Sequence, residues 1–125
     1  MKKNMDPTHT LYAIFLEIES NRLIQVGKLG EFLFQRGTYI YVGSAKRHIE
    51  KRIERHKRLH KRFRWHFDYL RPFGEITKII TYESSLEECQ LSDKLRKDYN
   101  GEYPVKGFGS SDCKCRSHLI FVGGN

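Results

Sequence analysis

Arg52 and His56 stand four residues apart, and on a helix that spacing projects a guanidinium and an imidazole from one face. Upstream, Tyr41 lies near the end of an extended run that stops at Gly43. A strand end carrying a phenol, set beside a helix carrying a fixed cation and an imidazole, makes a small polar pocket suited to a phosphate. A histidine on the inner edge of a helix is as readily structural, so His56 has two readings. The run Cys113-x-Cys115-x-x-His118 holds zinc ligands by type. A Cys-x-Cys pair is a weaker zinc signal than Cys-x-x-Cys, no second ligand pair is evident, and Cys89 alone remains to complete a set, so zinc is not expected.

The elements that must carry these residues can be read from apolar spacing. Residues 11–18, Leu-Tyr-Ala-Ile-Phe-Leu-Glu-Ile, predict a well-buried strand. After a turn at 19–22, residues 23–26 predict its hairpin partner, ending at Gly27, and 32–34 suggest another short strand. From Gly37 a strand runs to Gly43, with Tyr39 and Tyr41 on one face and Ile40 and Val42 on the other. Ile49, Ile53, Leu59 and Phe63 then recur near one stripe of a helix of about four to five turns over 46–64. Residues 64–70 close that helix or begin a second, and Pro72 with Gly74 ends it. A strand over 76–82 follows. Ser84 or Ser85 can cap a helix that runs to Asp98 and buries Leu86, Leu91 and Leu95. Glu87 and Glu88 fall in its first turn, where acidic groups suit the dipole. Glu88 precedes Leu91 by three residues and so sits at the edge of the buried stripe, with Glu87 pointing outward. Residues 107–118 predict a loop, and 119–122 a final strand.

These elements predict one α+β domain over 10–122, a small, mainly antiparallel sheet flanked by helices, after a flexible lead of residues 1–9. Charged residues at 30% and aromatics at 13% of 125 allow a core and exclude a disordered chain. The net charge of +8 is concentrated: residues 46–64 carry ten Lys or Arg against Glu50 and Glu54, and the remainder is neutral. Such a segment fits a polyanion, because each neutralised phosphate releases counterions. Lys46, Arg47, Lys51, Arg55, Arg58 and Arg62 are its candidate nucleic-acid contacts. A charged helix face that serves only solubility is the plainer reading. A membrane-surface helix fits less well, since the apolar stripe is narrow and interrupted by His56. Three cysteines suggest no disulfide framework and favour a reducing, cytoplasmic setting. No run is long enough to span a bilayer.

The run Tyr41-Val42-Gly43-Ser44-Ala45, continuing to Arg52-Ile53-Glu54-Arg55-His56, resembles the second half of the GIY-YIG nuclease signature. Trp65-His66-Phe67-Asp68-Tyr69-Leu70 and Gly107-Phe108-Gly109-Ser110-Ser111-Asp112-Cys113-Lys114-Cys115-Arg116-Ser117-His118-Leu119 resemble one small branch, DUF123, found alone or beside endonuclease III-type DNA glycosylases. The first half of the signature departs from pattern. Tyr12, in Thr10-Leu11-Tyr12, is the positional match for its tyrosine, with an inserted hairpin over 23–30 explaining the long gap to Tyr41. Gly37-Thr38-Tyr39 matches by letters but shares a strand with Tyr41, where the signature needs two partner strands. Tyr12 also reads as a core tyrosine with a satisfied hydroxyl.

The resemblance implies a nuclease-like fold with an added N-terminal hairpin and a phosphodiester hydrolase using one Mg²⁺ or Mn²⁺. It implies that Tyr12, with Tyr41, orients or deprotonates water, that Arg52 neutralises the phosphate, and that His56 bonds a tyrosine or shares the base role. Glu88, or Glu87 beside it, would hold the metal. His66, Asp68, Asp112, Cys113, Cys115 and His118 would stand around the site. DNA is the expected substrate, in repair or processing, and a DNA glycosylase is a candidate partner. The rival readings are a binding module without turnover, an accessory to a glycosylase, and a zinc-dependent interaction domain.

Overall fold

The computed structural model describes residues 2–83, 87–110 and 116–123. In chain order the strands are β1 (Lys2–Asn4), β2 (Leu11–Ile18), β3 (Arg22–Val26), β4 (Gly30–Phe34), β5 (Gly37–Ser44), β6 (Glu75–Tyr82) and β7 (Leu119–Gly123). The helices are α1 (Ile49–Lys57), α2 (His66–Leu70) and α3 (Glu88–Asp98). Five strands form the main sheet in the order β1-β6-β2-β5-β7, antiparallel except where β1 runs parallel to β6, and β3 and β4 form a separate two-stranded sheet. The fold is thus the mixed α+β, mainly antiparallel architecture predicted from the apolar spacing.

β2 occupies the centre because its near-continuous apolar run can be buried on both faces. Tyr12, Ile14, Leu16 and Ile18 point into a larger core shared with Tyr39, Tyr41, Ile49, Ile53 and Phe67. Leu11, Ala13 and Phe15 point the other way, into a smaller core that Ile40 and Val42 share with Leu91 and Leu95 of α3. The sheet therefore has α1, α2 and the β3–β4 hairpin on one side and α3 on the other.

Four sequence readings are corrected. The partner of residues 11–18 is not 23–26: β2 pairs with β5 and β6, and β3 pairs with β4. Eight residues can bury both faces of a central strand, whereas the alternating five of β3 suit a half-exposed hairpin. The predicted long helix over 46–64 stops at Lys57, and Leu59 and Phe63 are 53% and 40% exposed. Continuation would stack Lys57 on Lys61 and Arg58 on Arg62, like charges at helical spacing that oppose it. Arg58 instead turns extended, and Lys61 Nζ folds back to donate to the carbonyls of Arg55 (2.8 Å) and His56 (3.1 Å). Residues 2–4 of the predicted flexible lead form β1, and Asp6 N donates to Thr81 Oγ1 at 2.8 Å, so β6 anchors this stretch. Finally, the cap of α3 is Glu87, whose N–H donates to Gln90 Oε1 at 2.9 Å. Ser84, Ser85 and Leu86 lie outside the described residues.

Candidate active site

Antiparallel pairing of β2 with β5 sets Tyr12 opposite Gly43 and Leu11 opposite Ser44. The Tyr12 ring crosses over Gly43, where an added Cβ would overlap its hydroxyl, so the glycine is a steric requirement of the tyrosine. The Tyr12 hydroxyl lies 2.8 Å from His56 Nε2, a contact made across the larger core from β2 to α1. His56 is fully buried, and its Nδ1 has no hydrogen-bond partner among the described residues. Burial pulls its pKa down to about 3, with Asp68 opposing, so the ring is neutral. An orphaned N–H costs more than an orphaned lone pair, which favours the tautomer with the proton on Nε2, donated to Tyr12. Burial holds the Tyr12 phenol well above the usual tyrosine range, against the opposing charge of Arg52, and burial likewise raises Tyr41.

Arg52, one turn ahead of His56 on α1, donates from Nη1 to the Ser44 carbonyl at 3.0 Å and stacks 4.5 Å over the Trp65 ring. Ser44 Oγ donates to Glu88 Oε1. Glu88 opens α3 on the opposite face of the sheet, and its first turn brings the carboxylate round to the end of β5. Its second oxygen lies 3.2 Å from His118 Nδ1, and His118 Nε2 lies 3.7 Å from Cys89 Sγ. Burial would raise the Glu88 pKa, but the contacts with His118 and Ser44 and the charge of Arg52 outweigh it and hold it below the usual range. A cavity of about 410 Å³ collects Tyr12, Tyr41, Arg52, Glu88, His66 and His118 on its walls. On its far side Gly109, at φ +69°, donates its N–H to His66 Nδ1 at 2.7 Å. Glycine suits that left-handed backbone.

The predicted Tyr12, Tyr41, Arg52, Glu88, His66 and His118 thus meet at one cavity with His56 behind Tyr12, whereas Asp68 and Arg55 pair with each other elsewhere. Asp68 is fully buried away from the cavity, where Arg55 grips both its oxygens at 3.1 and 3.0 Å, the N–H groups of Arg64 and Trp65 donate at 2.7 and 3.0 Å, and Lys61 Nζ lies at 3.3 Å. Its pKa falls to about 2: burial opposes this, and the Arg55 and backbone donors prevail. Arg55 is correspondingly a structural cation, which removes it from the set of free nucleic-acid contacts. Lys46, Arg47, Lys51, Arg58 and Arg62 are exposed. His66 and Asp68 diverge because they ride a short helix, and residues two apart do not share a helical face.

Asp112, Cys113 and Cys115 lie outside the described residues. Cys89 is disulfide-bonded, which corrects the expectation drawn from the cysteine count, since an odd number still permits one bridge. Ser44, Arg64, Trp65, Cys89 and Gly109 also line the cavity. Arg64 and Cys89 stand next to residues already picked out, and Ser44, Trp65 and Gly109 lie inside the quoted motifs, so adjacency and motif membership were the signals available. Among the described residues no group of three or more His, Cys, Asp or Glu side chains stands ready to hold a metal, and no helix is long and apolar enough to cross a membrane.

The walls can therefore bind an anion through Arg52, offer it a phenol backed by an imidazole, and place one ionised carboxylate opposite. Residues 11–125 match a family model described as a domain of unknown function, DUF123. No curated protein and no solved structure matches the chain.

Proposed function

The chain belongs to the DUF123 family, and from that premise we propose that it is a GIY-YIG-type endonuclease, hydrolysing phosphodiester bonds in DNA with the help of one divalent ion. The observation that carries this reading is the convergence of Tyr12, Arg52 and Glu88 on one cavity from β2, α1 and α3. The pairing of β2 with β5 agrees with it, since it sets the two signature tyrosines on adjacent strands.

Arg52 holds the scissile phosphate, and its planar fork can meet two oxygens as charge builds on them. Its place over Trp65 and its bond to the Ser44 carbonyl fix the guanidinium before substrate arrives. Tyr12 receives a hydrogen bond from His56 Nε2 and keeps its own proton in the free protein. With its oxygen accepting from His56, the Tyr12 hydroxyl directs its own proton toward the cavity and so orients the attacking water. Tyr41, stacked 4.8 Å from Phe67, closes the wall behind it.

Glu88 fits a hard divalent cation: it is ionised, one-third exposed and retains lone pairs beyond those engaged by Ser44 and His118. A single carboxylate suits Mg²⁺ or Mn²⁺, which keep most of their waters. When bound, such an ion supplies Lewis-acid stabilisation of the developing charge. The exposed cations of 46–64 serve as a phosphate-backbone surface leading to the cavity.

The test is a nicking assay on flap, junction, abasic and single-stranded DNAs with Mg²⁺, Mn²⁺ or chelator, using wild type, Tyr12→Phe and Arg52→Ala. Metal-dependent cleavage lost in both variants is the expected result. DNA binding with no cleavage of any substrate would overturn the hydrolase reading in favour of a binding or glycosylase-accessory module on the same scaffold.

A further inference from the structure

The run that joins α1 to α2, residues 58–65, reads Arg-Leu-His-Lys-Arg-Phe-Arg-Trp and holds four Lys or Arg with no acidic side chain. Because α1 stops at Lys57, two large apolar side chains that a longer helix would carry on its stripe stand in solvent: Leu59 is 53% exposed and Phe63 40%. Arg58, Arg62 and Arg64 around them are exposed as well. The chemistry of the cavity uses neither apolar side chain.

The loop is firmly held. Lys61 Nζ donates to the carbonyls of Arg55 and His56, Arg55 Nη2 donates to the Arg62 carbonyl at 2.9 Å, and the N–H groups of Arg64 and Trp65 donate to Asp68 Oδ2. The Phe63 ring packs edge-on against Tyr69 of α2, with centroids 4.9 Å apart, which fixes its direction and leaves part of the ring uncovered. Binding through such a loop loses little to ordering, because the fold has already ordered it. The loop also borders the cavity, since Arg64 and Trp65, the two residues after Phe63, line its wall.

Apolar side chains flanked by guanidiniums suit a nucleic acid at a broken stack. The planar forks meet phosphate oxygens, and an apolar side chain beside them can enter between base pairs. Entry costs the stacking of that step, and the cost is least where a base is missing or already unpaired. A membrane surface fits this loop less well, because Ile49 and Ile53 of α1 are buried in the core and only two apolar side chains would reach the lipid.

We propose that residues 58–65 form a wedge: Phe63, with Leu59 in the same run, fills the gap at an unstacked base step, while Arg58, Arg62 and Arg64 hold the neighbouring phosphates. The inference rests on the nuclease reading for its choice of nucleic acid and deepens it, naming duplex DNA with a missing or unpaired base as the substrate class. Arg64 then leads the distorted strand from the wedge toward Arg52.

The experiment measures binding alone, in chelator, by fluorescence anisotropy of the full chain on an intact duplex and on the same duplex with one abasic site. Tighter binding of the abasic duplex is expected. Phe63→Ala should cut that preference about tenfold, and the double variant Leu59→Ala/Phe63→Ala should erase it, with the salt dependence set by the cations unchanged. Phe63→Leu, which keeps an apolar side chain, should retain most of the preference, and Leu23→Ala, at an exposed leucine of β3, should leave it whole. Equal affinity of the wild type for the two duplexes would overturn the proposal whether or not any variant folds, as would a preference that survives in the double variant. Phosphatidylserine vesicles that displace the abasic duplex, and that the double variant no longer binds, would overturn it in favour of a membrane surface. If the abasic preference holds while no metal supports cleavage, the hydrolase reading fails and the wedge stands.

Discussion

Replacing Asp68 by Asn changes one atom and almost no volume, yet it removes the charge on which Arg55, Lys61 and two backbone N–H groups converge. Three donors, Arg55 Nη2 and the N–H groups of Arg64 and Trp65, meet Oδ2, while Arg55 Nη1 and Lys61 Nζ meet Oδ1. An amide must turn its NH₂ toward one of these groups and leave cations facing a donor. The drop of the Asp68 pKa from 3.8 to about 2 corresponds to about 2 kcal/mol of preferential interaction with the ionised form. Breaking a buried ion pair by removing one partner costs about 3–5 kcal/mol. A loss of 3–5 kcal/mol is therefore expected at neutral pH, a large share of the 5–15 kcal/mol typical of a domain. Urea unfolding followed by fluorescence measures it directly, since Trp65 is the single tryptophan of the chain. Its backbone is held by Asp68, and its ring lies under Arg52 and Arg55. A shift below about 1 kcal/mol would refute the network as a stabilising unit and return Arg55 to the pool of free cations.

Arg52→Lys keeps the charge and loses the fork, so cleavage should fall about 10²–10³-fold with DNA affinity little changed; equal losses in rate and affinity would make Arg52 only one more phosphate contact. Glu88→Gln should abolish metal-dependent cleavage, whereas Glu87→Gln should cost under about 1 kcal/mol of stability and leave the rate intact. His56, neutral in the fold, binds a proton when unfolded below its ordinary pKa of 6.5, so stability should decline by about 1.4 kcal/mol per pH unit from there toward pH 3, and His56→Gln should remove that slope in acid titrations of unfolding. Removing Lys51 and Arg58 together should lower the slope of log affinity against log salt on duplex DNA by about 0.9 per lost phosphate contact, and no change would disconnect this surface from DNA.

The sheet was legible where side-chain period decides burial: the both-faced run of β2 and the alternation of Tyr39 and Tyr41 against Ile40 and Val42 place those strands without further information. Strand pairing was not, because a local turn between 18 and 23 looks like a hairpin whichever strand finally pairs, and only long-range burial distinguishes them. The end of α1 was hidden for a related reason. Apolar Leu59 and Phe63 keep the helical rhythm, while the termination comes from like-charge stacking and from Lys61, Arg71 and Asp68 capping and bracing the turn. Arg52 and Tyr41 on the cavity wall, and His56 behind it, could be picked out by spacing alone. Tyr12 and Glu88 came from resemblance, and the contacts of Ser44 and Cys89 with Glu88 and His118 depend on how α3 meets the end of β5.

Gly43 yields its volume to the ring of Tyr12 from the neighbouring strand. Two positions that share one volume do not drift independently through descent. A lineage that gives up the phenol releases the glycine from its constraint, and any side chain then acquired at 43 bars the tyrosine from returning. Loss of the phenol in this fold is thus a step with a ratchet behind it, and the residue opposite position 12 records whether a descendant still has the way back open.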